Sequence, residues 1–216
     1  MQYILFDLDG TLTDSAPGIV NGVRYALSRF GIRAEDPESL ARQFVGPPLS
    51  ESFPAAYGLS AEETERAIVY FREYYNDTGV YENSPYPGIP ELLSRLKQAG
   101  KRLILATSKP MPLARKVLEH FDLLRFFDWV CAGDLEEKRN TKAEIVADAL
   151  AKLETPERAR AVMVGDRDYD VIGAHANNLA CIGTLYGGYG TRQELERAGA
   201  EWIAADVAEL ESLLLP

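Results

Sequence analysis

The sequence predicts an α/β fold in which helices wrap a parallel sheet and a helical module is inserted straight after the first strand. Three observations predict it. Short apolar runs of β character alternate with helical patterns over most of the 216 residues. Several runs, such as Leu103-Ile104-Leu105-Ala106, are continuously apolar, as strands covered on both faces require. The alternation then stops between Pro17 and about Tyr81, where the periodicity is helical throughout.

Strands are expected at Tyr3 to Phe6, Arg102 to Thr107, Trp129 to Ala132, Ala161 to Gly165 and Cys181 to Thr184. A helix from Pro90 to Ala99 is closed by Gly100, a residue free to take the left-handed C-terminal cap. Another is expected to begin near Pro110. Thr141-Lys142-Ala143-Glu144 has capping-box spacing and opens a helix to about Leu153; Thr191-Arg192-Gln193-Glu194 repeats the signal. Gly187, Gly188 and Gly190 read as a flexible turn ahead of Thr191.

The inserted stretch carries apolar stripes at helical spacing, Ile19-Val23-Leu27-Phe30 and Ala67-Ile68-Phe71-Tyr74-Tyr75. Loop signals bracket it, Ser15-Ala16-Pro17-Gly18 before and Asn83-Ser84-Pro85-Tyr86-Pro87-Gly88 after. The expected organisation is a core of residues 1–15 and 84–216 with a helical cap of residues 16–83. An insertion there leaves the chain at the carboxyl end of a strand, where open α/β sheets bind ligands, so the cap is expected to act as a lid. The aromatic residues Tyr70, Phe71, Tyr74 and Tyr75 read as cap core.

An apolar content of 46% suffices for a buried core, and the net charge of -10 argues against binding a nucleic-acid polymer. It leaves room for a small phosphorylated metabolite, because a local site can be made positive by lysine and metal. Cys131 and Cys181 both fall in expected strands, which fits free thiols in a reduced compartment. No 18-residue apolar run occurs, and Asp7 arrives too early for a signal peptide; a cytoplasmic protein without membrane contact is expected. The oligomeric state, monomer or homodimer, is not legible.

The chemistry concentrates in Phe6 to Ser15, FDLDGTLTDS. Asp7 and Asp9 are two residues apart behind an apolar run, and residues i and i+2 of a strand point the same way. Two converging carboxylates repel unless a proton or a cation neutralises one. Three further groups follow strands in the same way. Thr107 and Ser108 offer hydroxyls and N–H groups suited to phosphate. Gly165-Asp166-Arg167-Asp168-Tyr169-Asp170 packs three acids into five residues, as a magnesium site or a solvated acidic turn would. Among the lysines, Lys109, Lys138 and Lys142 all stand near strand ends, and position alone does not choose between them.

Taken together, Asp7, Thr107, Lys142 and Asp166 resemble the four motifs of the haloacid dehalogenase-like superfamily, whose phosphatase branch has DxDGT, a Thr or Ser, a Lys and a GDxxxD-type acidic motif. The resemblance covers nearly the whole chain, and the insertion matches that superfamily's first cap type. It implies a Rossmann-like parallel-sheet core. Asp14-Ser15-Ala16-Pro17, Thr107-Ser108-Lys109-Pro110, Gly165-Asp166-Arg167 and Leu185-Tyr186-Gly187-Gly188-Tyr189-Gly190 are similar to the phosphoglycolate phosphatase-like group. The segment from Phe44 to Phe53 is similar to members described as 5′-nucleotidase-like.

The resemblance implies a Mg²⁺-dependent phosphatase acting on a small phosphomonoester. Asp7 would be the nucleophile that forms an aspartyl-phosphate, and Asp9 the general acid and then base. Asp7, the backbone carbonyl of Asp9, Asp166 and Asp170 would hold Mg²⁺. Thr107 and Ser108 would bind the phosphoryl oxygens, and Lys142 would offset charge on Asp7 and phosphate. Asp9 counts against dehalogenase chemistry, whose relatives lack it. A cap without lysine counts against phosphonoacetaldehyde hydrolase-like chemistry. Among the cap arginines, Arg42 stands nearest the Gly46-Pro47-Pro48 loop and is the first candidate for the leaving group. The remaining alternatives are 5′-nucleotide hydrolysis and β-phosphoglucomutase-like phosphoryl transfer.

Overall fold

A computed structural model describes residues 1–34, 36–135 and 141–215. The chain forms two compact units, Met1–Thr13 with Pro85–Pro216, and Asp14–Ser84. The first unit is built on six strands: β1 Tyr3–Phe6, β2 Arg102–Pro110, β3 Trp129–Gly133, β4 Ala161–Gly165, β5 Cys181–Thr184 and β6 Trp202–Ala204. They form one sheet in the order β3-β2-β1-β4-β5-β6, and every adjacent pair is parallel. This is a doubly wound α/β sheet. Chain order runs outward in both directions from the centre, so the topology reverses between β1 and β4.

The sheet is buried because its strands are apolar on both faces. Ile4, Leu5, Phe6, Leu103, Ile104, Leu105, Met163 and Val164 are fully inaccessible. Phe6 stands beside Leu105 on one side and Val164 on the other, so the residues that follow β1 and β4 emerge side by side. Of the six strands in this sheet, the one absent from the sequence reading is β6, three residues whose short pattern carries no periodicity.

The second unit holds four helices, α1 Ala16–Ser28, α2 Pro37–Phe44, α3 Leu49–Tyr57 and α4 Ala61–Tyr75, followed by a 3₁₀ turn. The anticipated stripe of α4 is its buried face, with Ala67, Phe71 and Tyr75 inside and Phe71 stacked on Tyr75. Tyr74 stacks on Tyr25 and donates to Glu82, so these aromatic rings are occupied within the unit. A complete capping box between Ser60 and Glu63 starts α4.

The helices of the first unit are α5 Ile89–Gln98, α6 Met111–His120, α7 Lys142–Leu150, α8 Thr155–Arg158, α9 Asp168–His175, α10 Arg192–Ala198 and α11 Val207–Leu214. Thr141 and Glu144 form the expected box at α7. At α10 the box is half made. Thr191 accepts from the Glu194 N–H, while the Glu194 carboxylate is taken by Arg167 and the Asp168 N–H. Cys131 and Cys181 are free and buried. Among the described residues no helix is long and apolar enough to cross a membrane.

Candidate active site

The carboxyl ends of β1, β2 and β4 bring most of the singled-out side chains together. Asp7 follows β1, its N–H bonded to the Val164 carbonyl at 2.9 Å. Asp166 follows β4, and Asp170 lies in the first turn of α9. Oxygens of these three carboxylates lie within 4.8 Å of one another, all buried. Lys142, the first residue of α7, reaches into the cluster: its Nζ is 2.7 Å from Asp7 Oδ1 and 2.8 Å from Asp170 Oδ1. Those contacts are ion pairs by distance, and its well-angled hydrogen bond goes to the Ala106 carbonyl at 3.1 Å.

The space for Lys142 is cut by a missing side chain. A Cβ on Gly173 of α9 would stand 2.7 Å from Lys142 Cγ. Gly10 makes a second close approach, with φ +83° and no room for a Cβ, which would lie 2.4 Å from Asp166 Oδ2. Thr11 next to it donates to Asp166 Oδ1 at 3.2 Å. The turn after β5 packs closely at two of its three glycines. Tyr186 donates to the Thr11 carbonyl at 2.8 Å, and Cβ atoms on Gly187 and Gly190 would strike the carbonyls of Gly10 and Asp166. That loop is a strap packed on the backbone of the acidic loops.

Burial sets the electrostatics. It pushes the Asp166 carboxyl well above the aspartate range, with Asp170 and Asp7 adding repulsion. Asp7 is pushed up to about 6, by burial first, with Lys142 opposing and Asp170 and Asp9 reinforcing. Burial alone would lower Lys142, but Asp170 and Asp7 outweigh it and hold the ammonium above its ordinary value. An opposite charge beside such a cluster reverses the carboxylate shifts.

The residues fit a hard divalent cation. Asp166 Oδ2 is buried and meets no donor, and the buried Asp7 Oδ1 and Asp170 Oδ1 share a single ammonium, that of Lys142. Three buried carboxylates with one ammonium between them are costly, and oxygen-only clusters of this kind are what magnesium takes as ligands.

Asp9 stands apart from the triad. Lys109 Nζ is 3.0 Å from both of its carboxylate oxygens. Thr107 is 2% exposed, and its Oγ1 accepts from the Lys109 N–H at 3.3 Å; Ser108 between them is partly accessible. Arg42 lies in the second unit on α2, its side chain 53% exposed and 3.8 Å from Glu38. Lys138 lies outside the described residues. The role of Lys109 was not separable in the sequence, and Gly173 carried no signal there. Asp168, in the same acidic run, points its carboxylate to the Tyr169 N–H and stays out of the triad.

Residues 4–184 match the family model described as haloacid dehalogenase-like hydrolase. A 5′-nucleotidase of Pseudomonas aeruginosa is 41% identical over 98% of this chain and 94% of its own length. The tyrosine-protein kinase PtkA of Mycobacterium tuberculosis is 42% identical over 99% of this chain and 72% of its length. The crystal structure of a predicted phosphatase from Clostridium acetobutylicum superposes with a TM-score of 0.93 at 46% identity, covering 99% of this chain and 98% of that one.

Proposed function

Since the chain belongs to the haloacid dehalogenase-like hydrolase family and is a phosphatase within it, we propose that it hydrolyses a small phosphomonoester through an aspartyl-phosphate on Asp7. The observation that carries this reading is the pairing of Lys142 with Asp7 at 2.7 Å inside a triad of buried acids at the sheet's switch point. Asp7 attacks phosphorus as the bond to the leaving oxygen breaks. Asp9 gives that oxygen a proton, then takes one from the water that cleaves the Asp7–phosphorus bond. Thr107 and Ser108 bind the phosphoryl oxygens. Lys142 holds Asp7 in place and offsets charge as it builds.

Asp7, the Asp9 carbonyl, Asp166 and Asp170 would hold Mg²⁺, which supplies charge neutralisation between an anionic nucleophile and an anionic ester. The proposed setting is the cytoplasm, which two free buried cysteines support. The second unit acts as cap, with Arg42 as the first cap residue to examine for leaving-group contact.

The test is Asp7→Asn assayed with p-nitrophenyl phosphate and Mg²⁺. Activity should fall by at least about 10³-fold, as loss of a covalent nucleophile demands; near-normal turnover removes the assignment. Phosphoglycolate and nucleoside 5′-monophosphates head the substrate panel, on the motif resemblance and the likeness to a 5′-nucleotidase. ATP with a tyrosine peptide belongs in it too, because an equally similar relative carries a kinase name.

A further inference from the structure

Three of the four acids of the site are divided between two lysines, Asp7 and Asp170 on Lys142 and Asp9 on Lys109, and the lysine on Asp9 has a placement of its own. β2 pairs regularly with β3 up to Thr107 opposite Ala132, then slips: Pro110 pairs with Gly133. The irregularity leaves Ser108 and Lys109 as extra residues on β2, a bulge of the kind that re-aims side chains beside active sites. The Lys109 N–H turns back onto Thr107 Oγ1 at 3.3 Å, which fixes the bulge from within. Its side chain, 5% exposed, runs under the β1 loop to meet both Asp9 oxygens at 3.0 Å, and Asp9 itself is 14% exposed. A lysine this deeply buried costs several kcal/mol unless paired, so the pair constrains both partners. Asp9 is thereby held by Lys109, while Asp7, Asp166 and Asp170 converge on one another.

We infer that Lys109 is a positioning residue for Asp9: it fixes the carboxylate that must meet the leaving oxygen, and keeps it out of the acidic triad. The inference rests on Asp9 carrying the proton in the proposed reaction. Its consequence is selective. A leaving group that departs as a stable anion needs no proton, so the placement of Asp9 matters little for it. An alkoxide needs the proton in the transition state, and for it a displaced acid is a lost acid. Lys109 therefore matters for alkyl phosphates, the chemistry of ordinary metabolites, far more than for activated aryl esters.

The experiment compares kcat/KM for p-nitrophenyl phosphate and glycerol phosphate, with Mg²⁺, in wild type, Lys109→Met, Lys109→Arg, Asp9→Asn and the double variant Asp9→Asn/Lys109→Met. Lys109→Met should lose about 10²–10³-fold on glycerol phosphate and no more than about 10-fold on the aryl ester. Lys109→Arg keeps the charge in a different shape and should recover part of the alkyl activity alone. In the Asp9→Asn background, Lys109→Met should change the alkyl rate by less than about two-fold, since the two act as one unit. Equal losses on both esters, or an undiminished loss in the Asp9→Asn background, overturn the assignment while leaving the function standing. An Asp9→Asn variant indifferent to the leaving group removes the proton role of Asp9, and the assignment with it. If Lys109→Met does not fold, the same split in Lys109→Arg decides.

Discussion

Gly173→Ala probes how tightly the fold holds Lys142. The added methyl group would stand 2.7 and 2.8 Å from Lys142 Cγ and Cβ, and 2.9 Å from its backbone carbonyl carbon. The backbone contact matters most, because a side chain can rotate away and a helix cannot. Relief needs a shift of about 0.5–1 Å between α7 and α9, and close-packed interiors resist such shifts. Asn177 resists it as well, donating at 2.9 Å to the carbonyls of both Ala143 and Gly173 and tying the two helices together. Overpacking costs about 1–3 kcal/mol, and alanine returns about 1 kcal/mol over glycine inside a helix. The net destabilisation is therefore about 0–2 kcal/mol, a folded protein. Activity should suffer more. The ion pairs of Lys142 at 2.7 and 2.8 Å have no slack, and loss of one preorganised donor costs about 10²–10³-fold in rate. A partial displacement is expected to lower kcat/KM for p-nitrophenyl phosphate by about 10–100-fold, read beside a urea unfolding curve. Full activity with an unchanged unfolding midpoint would refute the reasoning.

Two further outcomes follow from the charges. Asp166→Asn removes a buried carboxylate that meets two others, so the variant should melt above wild type without divalent metal, and the upward shift that Mg²⁺ gives wild type should vanish; thermal melts with and without MgCl₂ read both. Asp128 reports on pH. Burial pushes its carboxyl up, but Lys97, the Leu103 N–H and Arg102 outweigh it and hold it below the ordinary range. A depressed carboxyl adds stability above its unfolded value of about 3.9 and loses it as pH falls through the folded one. Asp128→Asn should therefore cost about 1–2 kcal/mol in urea unfolding at pH 7, and the gap to wild type should close below about pH 4.

The sheet was legible because its residues report one environment each. Leu103 to Ala106 can only be a strand covered twice, and the ends of such runs point to one edge. Asp7, Thr107, Lys142 and Asp166 could be ordered along that edge without coordinates. The lysines could not be separated so easily. Lys109 and Lys142 both follow strands, and what distinguishes them is a bulge in β2 and the slot left by Gly173. A bulge is a register event between two chains, invisible to the periodicity of one. Gly173 reads in isolation as a weak point in a helix, because its meaning lies in α7. The close packing of Gly187 and Gly190 is hidden for the same reason: its partners are the carbonyls of Gly10 and Asp166, far away in sequence.

Magnitudes then say which acid most needs a cation. At an effective dielectric of about 20, like charges near 4.8 Å repel by about 3–4 kcal/mol. Opposite charges near 2.7–2.8 Å attract by about 6 kcal/mol before desolvation. Within the triad, Asp7 and Asp170 each have Lys142 to set against two repulsive neighbours, which leaves them near balance. Asp166 has the same two neighbours and no lysine; its Oδ1 accepts from Thr11, and Arg167 beside it is already committed to Glu194. Repulsion of order 7 kcal/mol therefore falls on one carboxylate, the one whose Oδ2 lacks a donor. The three acids of the triad against Lys142 leave two negative charges, the amount one divalent ion neutralises. By this count the lysines do not replace the metal. Lys142 pins Asp7 and Asp170 and Lys109 pins Asp9, so that the uncompensated charge, and with it the pull on a cation, is concentrated at Asp166.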